Sequence, residues 1–198
     1  IEDGWLSPYR VFSCAEPNMA GVAIKSSGEW EEAGASKAAL EVVGDVVAEY
    51  LKHGEGRKFI CSGVDTAHVE EMQRQFLASG INAATYTYKD AEEDRADTVA
   101  EFRKPDSAIR GLITVTAASR GFDVADVSCI IMARPLRKSL AEHIQLFGRG
   151  LRISPETGKQ DCLVLCHSGN MARFWCDTEE FFDFGIEGLD DGKAKKKK

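Results

Sequence analysis

Lys58-Phe-Ile-Cys-Ser62, Asp65 to Leu77, Gly80 and Ile81-Asn-Ala-Ala-Thr-Tyr-Thr-Tyr88 read in order as strand, helix and strand. The first run is apolar and of strand length, too short for a helix. Asp65 is a short acceptor placed to cap a helix whose inward face carries Val69, Met72, Phe76 and Leu77. Gly80 stops that helix, because a residue without Cβ can take the left-handed turn that ends it. A helix between two strands is the crossover that parallel pairing requires.

The same rhythm continues outward. Asp90 with Glu93 makes a capping-box-like start for a helix ending at Phe102 and Pro105. Gly111 to Val115 and Val127 to Ala133 are further strands, and Ser139 with Glu142 opens a helix to Phe147. Asp161 to Cys166 closes the series of strands, with a short helix over Asn170 to Trp175. Upstream, Ser36 caps a helix reaching Lys52, with Leu40, Val43, Val47, Tyr50 and Leu51 on one face and Gly54 and Gly56 after it. Nearly continuous apolar strands alternating with helices predict an α/β domain of three layers, a mostly parallel sheet with helices on both faces. No internal repeat is visible. In such a sheet the working residues lie beyond the strand C-terminal ends. That rule points to Ser62-Gly63, Thr114 to Asp123, Arg134 to Ser139 and Gly148 to Arg152.

Composition bounds the function. The chain has 198 residues, 43% of them hydrophobic and 29% charged, which suits one domain with a sizeable core. No apolar run is long enough for a membrane span. The net charge of −7 excludes a generally basic nucleic-acid coat but leaves room for a local basic stripe. Residues 1–35 read as an inter-domain linker, residues 36–176 as the domain, and residues 177–198 as an acidic, then Lys-rich tail. The start at Ile1 suggests an excised domain. The six cysteines include no C-x-x-C pair and suit a reducing, cytoplasmic setting. Cys162, Cys166, His167 and Cys176 fit no common zinc spacing, so no metal site is expected.

Two stretches carry candidate chemistry. In Gln145-Leu-Phe-Gly-Arg-Gly-Leu-Arg152, the glycines free the backbone around Arg149 and bring two guanidinium groups together. Planar, permanently charged, bidentate donors suit phosphate oxygens. The plainer alternative is a surface turn whose arginines pair with carboxylates. In Thr114-Val-Thr-Ala-Ala-Ser-Arg-Gly-Phe-Asp123, small residues, hydroxyls and Gly121 allow close approach of a phosphate or sugar. Taken alone, that is no more than a loop glycine.

In this order and spacing the stretches resemble the second RecA-like domain of superfamily 2 helicases. Phe59-Ile-Cys-Ser62 looks like the motif that opens the domain, and Asp94-Arg95 with Phe102 matches the acidic-Arg helix. Arg120-Gly-Phe-Asp123 matches R-G-x-D, and Gln145 to Arg152 matches Q-x-x-G-R-x-x-R. Asp3 to Pro8, Gly158-Lys159, Asp161 to Leu165, Gly169-Asn170 and Ala172-Arg173 resemble RadD-type repair helicases and related phage helicases.

The resemblance implies a motor domain of a DNA helicase or translocase. Arg149 and Arg152 would be arginine fingers on ATP that is held, with Mg2+, mainly by an N-terminal RecA-like domain absent from this chain. Gln145, Gly121 and Asp123 would face the nucleotide or the inter-domain network. Ser62, Thr114 and Thr116 would meet the nucleic-acid backbone. Apart from the resemblance, Arg134, Arg137 and Lys138 form a basic stripe that reads as a nucleic-acid contact or as a solvated face. The chain departs from the family at Val115-Thr116, where many members have Thr-Asp, and at Leu146, where many have Arg. It also has no G-x-x-x-x-G-K-[ST] loop and no D-E-x-H stretch, so hydrolysis by this chain alone is not expected. The rival readings are a non-catalytic binding module and an unrelated doubly wound enzyme. The second would need a complete pocket of its own.

Overall fold

A computed structural model describes residues 6–115 and 124–182, the last four by their backbone alone. Thirteen elements carry the fold. They are β1 (Tyr9–Ser13), α1 (Glu32–Leu40), α2 (Val43–His53), β2 (Phe59–Ser62), α3 (Thr66–Ala78), β3 (Ala83–Tyr86), α4 (Glu92–Arg103), β4 (Gly111–Thr114), β5 (Cys129–Met132), α5 (Leu140–Gly150), β6 (Cys162–Cys166), α6 (Asn170–Arg173) and α7 (Trp175–Phe182). A 3-10 turn at Pro155–Thr157 precedes β6.

The sheet has six strands in the order β1-β6-β5-β2-β4-β3, and every pair is parallel. Alternation within each strand sorts the side chains to two faces. Phe59, Cys61, Ile113, Cys129, Ile131, Leu163 and Leu165 pack with α2 and α3, through Val43, Val47, Tyr50, Val69, Met72 and Phe76. Ile60, Leu112, Ile130, Met132 and Val164 pack with Phe102 of α4 and Leu146 and Phe147 of α5. The expected three-layer α/β architecture is present, with helices on both faces.

Several local expectations are corrected. One helix from Ser36 to Lys52 is in fact two, α1 and α2, and the cap of α1 is Glu31. Its carboxylate accepts from the backbone N–H groups of Ala33 (3.0 Å) and Gly34 (2.7 Å), while Ser36 is buried inside the helix. The break serves two different surfaces. Ala35 and Ala39 of α1 sit on Val64 and Trp30, whereas α2 lies on the sheet. Leu40, Leu51 and Leu77, expected to face inward, are 38%, 52% and 49% exposed.

Asp90 does not cap α4. It accepts instead from the N–H and hydroxyl of Thr87, closing a turn. Helix α5 runs on through Gly148 and Arg149 to Gly150, beyond the expected stop at Phe147. Within residues 1–35 the sequence shows only short apolar pieces, yet Tyr9–Ser13 forms an edge strand in register with the whole of β6. A parallel edge strand paired on one side carries too short an apolar signal to be read as an element.

Candidate functional site

Gln145 and Arg149 lie one turn apart on α5, and Arg152 follows its C-cap, Leu151. Residues four apart share a helix face, so these side chains leave the same side. Gly150 explains how α5 gets so close to the sheet. A Cβ there would run into Cys162 Sγ and Ile130, at the beginnings of β6 and β5. The arginine stretch therefore lies level with the strand N-terminal ends, not beyond the C-terminal ends as the general rule for such sheets suggests. Arg149 is half-buried, and that burial lowers its pKa from the ordinary arginine value.

The backbone of this stretch is held on two sides. Ser7 donates its N–H to the carbonyl of Leu151 (2.7 Å) and its hydroxyl to that of Arg152 (3.1 Å). Lys159 donates from Nζ to the carbonyls of Gly150 (2.7 Å), Arg152 (2.6 Å), Val127 (2.6 Å) and Ala125 (3.3 Å). Burial pushes the Lys159 pKa down to about 8. Lys58 holds the same 124–128 segment from below, pairing with Asp126 at 2.5 Å while donating to the carbonyls of Phe102 and Lys104.

At the other end of the sheet, Ser62 and Thr114 close β2 and β4 as register partners. Both are buried, 3% and 5% exposed, so their hydroxyls do not stand on the surface of this chain. Arg134 ties the loops there, donating to the carbonyls of Val64 (2.9 Å) and Val115 (3.0 Å). Asn170 fastens the 134–136 loop, accepting from the N–H of Leu136 and donating to the carbonyl of Arg134. Arg173 adds a bond to the carbonyl of Leu136 at 2.6 Å.

The loop that enters α5 is held from outside. Glu29 accepts from the backbone N–H groups of Arg137 (2.9 Å) and Lys138 (2.6 Å) and from the Ser139 hydroxyl (3.0 Å). Burial raises the Glu29 pKa, but these hydrogen bonds outweigh it and leave the carboxyl below its usual value. Ser139 itself makes no side-chain cap, contrary to the capping-box expectation. Arg137 also donates to the carbonyl of Gly28 and lies over the Trp30 ring, while Lys138 is exposed.

The fold thus brings Gln145, Arg149 and Arg152 together, and separately brings Ser62, Thr114, Arg137 and Lys138 to the opposite end. Strands of this length separate the two groups by about 13 Å. Thr116, Gly121 and Asp123 lie outside the described residues. Among the described residues, no three His, Cys, Asp or Glu side chains are placed to hold a metal ion. No helix among them is long and apolar enough to cross a membrane. Sequence reasoning missed Ser7, Glu29 and Lys159 in these roles. Ser7 and Lys159 fall within stretches singled out by resemblance, Asp3 to Pro8 and Gly158-Lys159, but neither stretch signals a clamp, and Lys159 acts on carbonyls up to 34 residues away.

The sequence profile of the helicase conserved C-terminal domain matches residues 41–154. A 51.5 kDa protein of a Lactococcus phage (isolate 7-9) is 29% identical over 152 residues, covering 77% of this chain and 33% of the phage protein. IRC3 of Saccharomyces cerevisiae, whose name places it among ATP-dependent helicases, is 28% identical over 127 residues, covering 62% of this chain and 18% of IRC3. The chain thus spans a third or less of these relatives. Among solved structures, a fragment of an HsdR-type subunit of a type I restriction enzyme from Vibrio vulnificus YJ016 superimposes with a TM-score of 0.70. It is 22% identical, with 93% of this chain and 36% of that chain covered.

Proposed function

Because this chain belongs to the helicase conserved C-terminal domain family, we propose that it is the second motor domain of an ATP-dependent DNA helicase or translocase of the RadD-like kind. The observation that carries this reading is the clamped end of α5, which holds Gln145 and Arg149 on the helix and the backbone of Arg152 just after it. ATP and Mg2+ belong mainly to a partner RecA-like domain that supplies the phosphate-binding loop. The described residues here offer guanidinium groups for phosphate and no carboxylate cluster for a metal.

In this mechanism, closure of the two domains carries Arg149 and Arg152 onto the γ-phosphate. Their positive charge offsets the charge that develops as the phosphoryl group leaves. Gln145, one turn away, orients the attacking side of the nucleotide or reports its state to α5. Because the guanidinium groups project from a clamped helix end and the residue just past its cap, little reorganisation is needed at the moment of reaction. Hydrolysis removes the group they hold, and the cleft reopens. The backbone of the nucleic acid passes over the opposite end of the sheet, near Lys138 and the loops that follow Ser62 and Thr114. Contact with the backbone alone is indifferent to sequence, as translocation requires.

DNA-stimulated ATP hydrolysis tests the reading, in a protein that carries this chain together with its phosphate-binding domain. Arg149→Ala should lower kcat on the order of 10³-fold while folding and DNA binding persist. Unchanged hydrolysis would sink the motor reading in favour of a non-catalytic binding module.

A further inference from the structure

We propose that Lys159 is a positioning residue for nucleotide hydrolysis, its ammonium locking the end of the arginine helix to the segment that follows Asp123. The inference rests on the motor reading above and adds a residue to it. The last carbonyls of a helix have no partner inside the helix. Here that of Gly150, and past the C-cap that of Arg152, receive the Lys159 ammonium at 2.7 and 2.6 Å. The same nitrogen donates to Val127 at 2.6 Å and, more weakly, to Ala125 at 3.3 Å. One cation therefore joins the end of the arginine stretch to the segment that follows, in sequence, the R-G-x-D motif ending at Asp123.

The attachment is stiff. Ser7 holds the intervening Leu151 carbonyl, and Gly150 rests directly on β5 and β6. With both neighbouring carbonyls fixed, the backbone from which Arg149 and Arg152 project has one arrangement. The Lys159 ammonium is engaged by four backbone carbonyls. It acts through the backbone, and the loss to expect is in the transition state, because a misplacement of about 1 Å costs up to about 100-fold in rate.

The ionisable groups facing Lys159 are Asp126 from the 124–128 segment, Cys162 from β6, Arg152 from the arginine stretch and Arg57 from the start of β2. Cys162 is pushed by burial to about 12 and stays a neutral thiol in the range where Lys159 loses its proton. The ammonium is thus the group in this cluster that titrates just above neutral pH.

The test uses the protein carrying both motor domains, with Lys159→Met, Lys159→Arg and Arg149→Ala compared for kcat, KM for ATP and DNA affinity. Lys159→Met should lower kcat roughly 10- to 100-fold with KM and DNA affinity within about twofold. Lys159→Arg, which keeps the charge and the donors, should recover most of the loss. An unchanged kcat in folded Lys159→Met, with only the melting temperature reduced, overturns the inference and leaves Lys159 a stabilising cap. If Lys159→Met does not fold, the wild-type pH profile decides. The inference expects kcat to fall as the pH rises past about 8, and Lys159→Arg to move that fall upward. A kcat flat across that range overturns it. Arg149→Ala separates the two levels. Should it leave hydrolysis intact, the motor reading fails. Should it abolish hydrolysis while Lys159→Met does nothing to kcat, only the positioning role fails.

Discussion

Glu29 holds the entry to α5, where the sequence pattern places a cap at Ser139. Its carboxylate accepts from the N–H groups of the two residues before Ser139 and from the Ser139 hydroxyl itself. An anionic acceptor at a helix N-terminus gains from the helix dipole as well as from the hydrogen bonds. Glu29→Ala should cost about 1–2 kcal/mol in urea denaturation at pH 7. Ser139→Ala should cost less, since that hydroxyl only supports Glu29. The local signal misled here because S-x-x-E satisfies the capping-box rule, whereas the Ser139 hydroxyl is engaged by Glu29, 110 residues upstream. Nothing in the neighbourhood of Ser139 encodes that approach.

At the scale of the element, α5 shows how a helix is fitted to a sheet. Gly150 is a contact point, because any Cβ there would collide with Cys162 and Ile130. Gly150→Ala should therefore destabilise the chain by about 1–3 kcal/mol through overpacking. In Gly44, near the start of α2, a Cβ meets only Gln75 Oε1 at 3.9 Å, an ordinary contact. Gly44→Ala should raise stability by roughly 0.5–1 kcal/mol, because alanine is the better helix former. A glycine scan by thermal denaturation should show these opposite signs; a gain at Gly150 would mean that α5 is not seated on the sheet as described. The same contrast explains why the helix stop was placed early. Two glycines around Arg149 read as helix breakers, but tight packing, rather than a turn, is what Gly150 serves.

For the molecule as a whole, buried histidines set the response to acid. Burial lowers His68 and His143 to about 4 each, and lowers His167 as well. His68 accepts from the N–H of Val64 through Nδ1, and His143 lies 2.9 Å from the Thr178 hydroxyl. Neutral rings fit these sites and charged ones do not. Below pH 6.5 the unfolded chain takes up protons that the folded chain refuses, so stability falls as the pH drops from about 6.5 towards 4. The loss at pH 5 should be on the order of 2 kcal/mol for each of His68 and His143. Glu142, whose pKa burial raises, acts in the opposite sense, since its folded form takes up a proton more readily than the unfolded one as the pH falls. Denaturation midpoints at pH 7 and pH 5 should show the loss, and His68→Gln should shrink the difference. An equal midpoint at both values would mean that the rings accept protons in place.

The sequence by itself determined the architecture, because strand length, apolar continuity and helix-stop glycines are local properties. Phe59–Ser62, Gly111–Thr114 and Cys129–Met132 needed no more than that. The Asp65 cap was equally legible, since its acceptor lies three residues from the N–H of His68 that it binds. The arginine stretch was legible as chemistry, through residue type and spacing. Tertiary structure alone decided what holds it: Ser7, from 145 residues upstream of Arg152, and Lys159, from 7 residues downstream. It also decided that Ser62 and Thr114 are buried while the arginine stretch lies at the far end of the sheet. The physical reason is the same in each case. Caps and clamps are satisfied by whatever donor or acceptor the fold brings near, and nearness in a parallel sheet is set by crossovers, not by sequence distance.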